Sequence, residues 1–316
     1  VRSSAASDVY KRQYQKIGFL PPFNAIAVPI IKWRLRHDTS HIIIDGEQTS
    51  LDKHLTKRHK QNVGQNVNIL GEVVIGNAEA DRRFESYLEA LRQPNINYIS
   101  VKISGIYAQT HALNYGEAFS ELVRRMSILY QSAIDNKYID SQGKEHNKFV
   151  NLDMEEYKDA HLTLRVFIET LSQQQFANYE AGIVVQAYLP DAWDFQSQLL
   201  DFAHKRVEAG GSPIKMRLVK GCNLDMETIT SDLRGWTNPV RSSKTEVDAN
   251  YLHLLERALA PDNAQVLHVG IASHNLFTMA YAHLLAKRKR TPFRCFDFEM
   301  LEGMANHVCR AQVAMG

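Results

Sequence analysis

The run IKMRLVKG at residues 214–221 decides the fold. It is short and largely apolar, and its charged Arg217, the fourth of its eight residues, lies on the same face as Val219 if side chains alternate. Amphipathic text flanks it, Trp193–Ala209 before and Ala249–Ala260 after, with apolar positions three and four apart. A β-rich run between helical stretches is the repeating unit of a parallel sheet. Working outward, the same unit recurs at VNILGEVVIG (67–76), YISVKIS (98–104), FVNLDME (149–155), GIVVQAY (182–188), VLHVGIASHN (266–275) and RCFDFEML (294–301). Helical text at Arg83–Arg92, Gly116–Asn136 and Tyr157–Leu171 lies between them. Strands with helical crossovers predict an α/β chain folded as a (βα)8 TIM-type barrel short of one unit. An open doubly wound sheet would more often show a Gly-rich first turn, and no G-x-G-x-x-G occurs. The sequence stops at Gly316 within the helical text EGMANHVCRAQVAM, so the expectation is a barrel cut before its eighth unit.

Composition narrows the class. With 316 residues, 44% of them hydrophobic and 23% charged, the chain can bury a sizeable core, which excludes a peptide-sized module and a disordered one. A net charge of +2 gives no field for gripping a phosphate backbone, so nucleic acid is not an expected partner. Cys222, Cys295 and Cys309 form no C-x-x-C pair, which argues against a disulfide framework or a structural zinc and fits a reducing cytoplasm. The apolar stretch Ile17–Ile31 holds Pro21, Pro22 and Pro29 and is shorter than the roughly 20 residues of a spanning helix.

Three segments follow. Residues 1–13, VRSSAASDVYKRQ, read as a non-native or disordered leader. Residues 14–65 read as an N-terminal helical arm whose basic run, Lys53, Lys57, Arg58 and Lys60, is a solvated face. Residues 66–316 carry the barrel.

Parity sorts the polar residues inside the apolar runs. Ser100, Lys102 and Ser104 share one face; Asn151 and Asp153 share another. Four runs thereby converge Lys102, Asp153, Gln186 and Arg217 on the C-terminal mouth of the barrel, the end that carries the site in parallel barrels. An unpaired buried charge is costly, so Asp153 and Arg217 are expected to pair. No H-x-H, H-E-x-x-H or clustered Cys and His gives metal-ligand spacing, and no G-x-S-x-G gives a serine nucleophile. What remains is positive charge at Lys102, Arg217, Lys220 and Lys244, with Gly221 and the turn Ser273-His274-Asn275. That set suits an anionic, phosphate-bearing cofactor.

In order and spacing, ISVKIS, NLDMEEYKDAHLTL, VVQAYLPDA, MRLVKGCNLDMETI, KTEVDANY, IASHN and FDFEMLEGM resemble the proline dehydrogenase flavoenzymes, above all the proline dehydrogenase module of the bifunctional proline utilization enzymes. The resemblance covers roughly Val67 to Met304. It implies a distorted (βα)8 barrel that holds FAD, oxidises L-proline to Δ1-pyrroline-5-carboxylate, and passes electrons to membrane quinone from the cytoplasm or the inner membrane face. It further implies Arg217 beside flavin N5 with Asp153 as its partner, Lys102 on the substrate side, and Gln186 on the flavin ring. Lys220, Gly221, Lys244, Ser273, His274 and Asn275 would hold the ribityl, pyrophosphate and adenosine portions, and Leu301 would pack on the proline ring. A pyrroline-5-carboxylate dehydrogenase domain follows in the bifunctional enzymes.

Two departures stand out. Asn223 occupies a place where many members have Tyr. The R-R-x-x-E-N motif that clamps the substrate carboxylate in the family does not occur between Met304 and Gly316. This chain is therefore expected to bind FAD weakly, to aggregate and to turn over proline poorly. The competing readings are another flavin barrel, such as a methylenetetrahydrofolate reductase-like protein, and a non-catalytic flavin-binding fragment.

Overall fold

The computed structural model describes residues 21–39, 47–69, 74, 76–110, 112–140 and 143–315. The expected leader at 1–13 and part of the first expected strand, 67–76, lie outside the described residues. The chain divides into two compact units: residues up to His54 with Leu301–Asn306, and Leu55–Met300 with His307–Gly316. In the smaller unit the Pro-interrupted text forms a helix over Pro21–Thr39, with Pro29 inside it. A second helix, Gln48–His59, carries Lys53, Lys57 and Arg58 of the basic run, and Lys60 follows its end.

Among the described residues the larger unit has nine strands: β1 (Asn66–Asn68), β2 (Tyr98–Lys102), β3 (Tyr138–Ile139), β4 (Glu145–His146), β5 (Phe149–Asp153), β6 (Gly182–Gln186), β7 (Ile214–Val219), β8 (Leu267–Ala272) and β9 (Phe296–Glu299). Seven of them make one all-parallel sheet in the order β1-β2-β5-β6-β7-β8-β9, each strand beside its predecessor in that list, which is the connectivity of a TIM-type barrel. β3 and β4 form a separate antiparallel hairpin. Among the described residues no strand joins β9 to β1, so the sheet is open, with those two short strands at its ends.

Helices Asn77–Arg92, Tyr115–Asp135, Tyr157–Leu171, Ala192–Glu208, Lys244–Ala258 and Leu276–Lys289 make the crossovers. The helix expected from Ala249 begins at Lys244, because Ser243 caps it by accepting a hydrogen bond from the Glu246 amide at 3.2 Å. A helix at Leu224–Arg234, ended by Gly235 in the left-handed conformation, adds a turn-back after β7.

The two faces of the sheet are chemically opposite. Ile99, Val101, Val150, Leu152, Ile183, Val185, Met216, Leu218, Val269 and Ile271 are all fully buried on the face that the crossover helices cover. The alternate positions carry Tyr98, Ser100, Lys102, Asn151, Asp153, Gln186, Lys215, Arg217 and Glu299. Burial of the first face drives the sheet together, at about 1.5–3 kcal/mol for each large aliphatic side chain. The second face holds the chemistry. Ser104 does not share it: the strand ends at Lys102, and Ile103–Ile106 closes into a helical turn.

Candidate active site

Arg217 is the centre of the polar face. Its Nη1 donates to Asp153 Oδ1 at 3.0 Å and Ser100 Oγ at 3.2 Å, its Nη2 donates to Tyr98 Oη at 2.6 Å, and its Nε donates to Glu299. Residues from β2, β5 and β9 therefore converge on one guanidinium from β7. The expected Asp153–Arg217 ion pair is present and nearly enclosed. Lys215, one pleat earlier on β7, lies 2.7 Å from both Glu299 Oε1 and Asp297 Oδ2, with its ammonium over the rings of Tyr98 and Phe149.

Burial and charge oppose each other here, and the winner differs by residue. At Asp153 burial pushes the carboxyl above its usual range, against the pull of Arg217 and the hydrogen bonds from Asn151 and Ser100. At Glu299 burial pushes the same way, but the charges of Lys215 and Arg217 outweigh it and hold the carboxyl below its usual range. Burial and the nearby Glu299 carboxylate together push the Tyr98 hydroxyl up, so it remains a neutral phenol.

The remaining expected site residues fall into neighbouring groups. Lys102 is ion-paired with Glu155, which also accepts from Ser104 Oγ at 2.7 Å. Gln186 donates through Nε2 to the carbonyls of Met154 at 3.0 Å and Glu155 at 3.2 Å, so it and Lys102 meet at the end of β5. Lys220 and Lys244 both bind Asp248, one on each carboxylate oxygen. Arg217 pairs with Asp153 as expected, and the other three cations of the mouth, Lys102, Lys220 and Lys244, also meet a carboxylate.

Gly221 has φ +123°, and a Cβ there would fall 2.4 Å from the Tyr188 ring, so only glycine fits. Ser273 and Asn275 organise the turn after β8: Ser273 Oγ accepts from the Asn275 amide at 3.1 Å, and Asn275 caps the helix Leu276–Lys289 through the amides of Phe277 and Thr278. His274 lies half-buried between them. Leu301 is exposed and belongs to the smaller unit, and Asn223 precedes the helix Leu224–Arg234 as its cap residue.

Sequence reasoning missed Glu299, Lys215, Tyr98, Glu155 and Asp248. Parity could have found the first three, since Lys215 shares a face with Arg217, Tyr98 with Ser100, and Glu299 with Asp297. Glu155 in a loop and Asp248 on a helix carry no such signal. Among the described residues no group of His, Cys, Asp and Glu could hold a metal ion, and no helix is long and apolar enough to cross a membrane.

Comparisons with known proteins bear on this site. Residues 51–316 match the proline dehydrogenase family. A comparison with curated proteins finds no match. Among solved structures, proline utilization A (PutA) from Corynebacterium freiburgense is 41% identical over 89% of this chain and 28% of its own, with a TM-score of 0.79. PutA from Bdellovibrio bacteriovorus, a structure of the protein inactivated by N-propargylglycine, is 32% identical over 83% of this chain and 28% of its own, with a TM-score of 0.73. PutA from Bradyrhizobium japonicum, at 24% identity and a TM-score of 0.70, shares the fold over 93% of this chain and 29% of its own. This chain therefore spans less than a third of the length of those proteins. Arg217 and its partners stand on strands that the family match covers from end to end, and the chain belongs to the proline dehydrogenase family.

Proposed function

We propose that the polar face binds FAD and L-proline and supports oxidation of proline to Δ1-pyrroline-5-carboxylate, with electrons passing on to quinone. The observation that carries this reading is the Arg217 cluster, a fixed cation held by Tyr98, Ser100, Asp153 and Glu299 on the polar face of a family-matched barrel sheet. The surrounding residues suit a flavin nucleotide at one buried atom: among the described residues, Gln186 Oε1 at the end of β6 has no hydrogen-bond partner.

When bound, FAD would supply the hydride acceptor for C5 of proline. The chain's own residues do the rest. Arg217 offers positive charge where charge accumulates on the reduced ring, with Asp153 holding it in place. Gln186 offers a carboxamide to the ring. Lys220, Lys244, Gly221 and the Ser273–Asn275 turn hold the ribityl and phosphate portions; the lysines share themselves between Asp248 and the diphosphate. Lys102 meets the substrate carboxylate as a point charge once it leaves Glu155. Pyrroline-5-carboxylate is then the substrate for a second dehydrogenase module, for which the longer PutA chains have room.

Titration of the purified chain with FAD, followed by flavin fluorescence and by anaerobic bleaching on addition of L-proline, tests the proposal. Saturable binding with proline-dependent bleaching, even if slow, is the expected result. A chain that binds no flavin, or one whose flavin is bleached by NADH and reoxidised by methylenetetrahydrofolate but is not bleached by proline, overturns it.

A further inference from the structure

Glu299 and Arg217 stand on strands that are not neighbours: β8 runs between β7 and β9. In the register of the sheet the residue between Arg217 and Asp297 is Gly270. A Cβ at Gly270 would lie 2.3 Å from Glu299 Oε1 and 2.9 Å from Lys215 Cε, closer than such atoms approach. The missing side chain is what allows β7 and β9 to join hands over β8. Through that opening Glu299 takes the Nε–H of Arg217 on one oxygen, and its other oxygen lies 2.7 Å from the Lys215 ammonium as an ion pair.

The geometry divides labour around the guanidinium. Asp153, Ser100 and Tyr98 engage its two terminal nitrogens, whereas Glu299 alone among the described residues engages Nε, the atom whose direction sets the plane and roll of the group. Lys215 in turn holds Glu299 and is anchored by Asp297. We propose that Glu299 is a positioning residue for Arg217, acting across Gly270 by hydrogen-bond direction rather than by its charge. This rests on the flavin reading for its functional consequence, but not for the contact itself.

The two parts are tested separately. In the flavin-free protein, 15N NMR reads hydrogen exchange at the Arg217 side-chain Nε–H. Slow exchange is expected in wild type and in Glu299→Gln, whose amide oxygen still accepts, and fast exchange in Glu299→Ala and Gly270→Ala. Fast exchange in wild type overturns the proposal whatever the protein binds. In the FAD-loaded protein, Glu299→Ala is expected to lower the preference for reduced over oxidised flavin about tenfold, a fall of about 30 mV in midpoint potential. Glu299→Gln should stay within threefold of wild type, and Glu299→Ala combined with Arg217→Met should equal Arg217→Met alone. Removal of a negative charge by itself would raise the potential, so a rise in Glu299→Ala, or additivity in the double variant, overturns the positioning role. Wild type that binds no FAD overturns the flavin reading instead, and the exchange measurement still decides the contact. Folding of each variant is checked by a thermal melt, and Glu299→Gln keeps the test alive if Glu299→Ala does not fold.

Discussion

Tyr98 and Glu299 hydrogen-bond to the same guanidinium although β2 and β9 stand five strand spacings apart in the sheet. On a flat sheet those strands would be about 24 Å from each other. One arginine can touch both only because the sheet curls, so Arg217 lies on the concave side, as a barrel interior requires. The polar network and the curvature are therefore one feature, and the consequences of disturbing it can be graded.

Arg217→Met should lower the rate of flavin reduction by proline by about 10² to 10³ while changing FAD affinity far less, because the cation acts on charge that develops during reaction. Stopped-flow bleaching measures the first and fluorescence titration the second. Equal losses in both would make Arg217 a binding residue only.

Asp153→Ala would leave a buried cation with no counter-ion if the pair stood alone. The structure supplies a second carboxylate, since Arg217 keeps Glu299. The expected loss is therefore about 1.5–3 kcal/mol, the range for hydrogen bonds to charged groups, and not the larger cost of an orphaned ion. Urea unfolding gives the number, and a loss above that range would show that Glu299 does not compensate.

Arg206 is buried near the end of the helix Ala192–Glu208 and donates to the carbonyls of Leu171, Phe176, Tyr179 and Ser212. It ties the end of the crossover before β6 to the end of the crossover before β7. Arg206→Ala strands these acceptors and should cost at least about 3 kcal/mol. Arg206→Lys should recover little of it, because an ammonium cannot reproduce the planar fork. Denaturant midpoints of the two variants check both statements.

Lys148 is buried with its ammonium on the Gln93 carbonyl, and burial pushes its pKa down to about 8 from 10.5. Between those values the unfolded chain holds a proton that the folded chain has released, so Lys148 makes stability rise with pH across that window. Below pH 8 both states are protonated and the penalty is full. Lys148→Met should raise the melting temperature most at pH 6–7, with the gain fading toward pH 10.5. A gain independent of pH would mean that folding does not shift the pKa of Lys148.

Local pattern determined much of this. Seven short β-rich runs with helical text between them determined the parallel sheet and its connectivity, because burial beneath crossover helices demands continuous apolar strands whatever lies elsewhere in the chain. Alternation alone put Arg217, Asp153, Gln186 and Lys102 on the side away from the helices. Tertiary structure decided who pairs with whom. Glu299 reaches Arg217 over Gly270, Lys102 turns to Glu155, and Lys220 with Lys244 closes on Asp248. Those partners lie 28 or more residues away, except for Lys244 and Asp248, which are one helical turn apart. Charge complementarity between such positions is set by the curl and register of the sheet, which depend on all the strands at once and leave no mark on any single run.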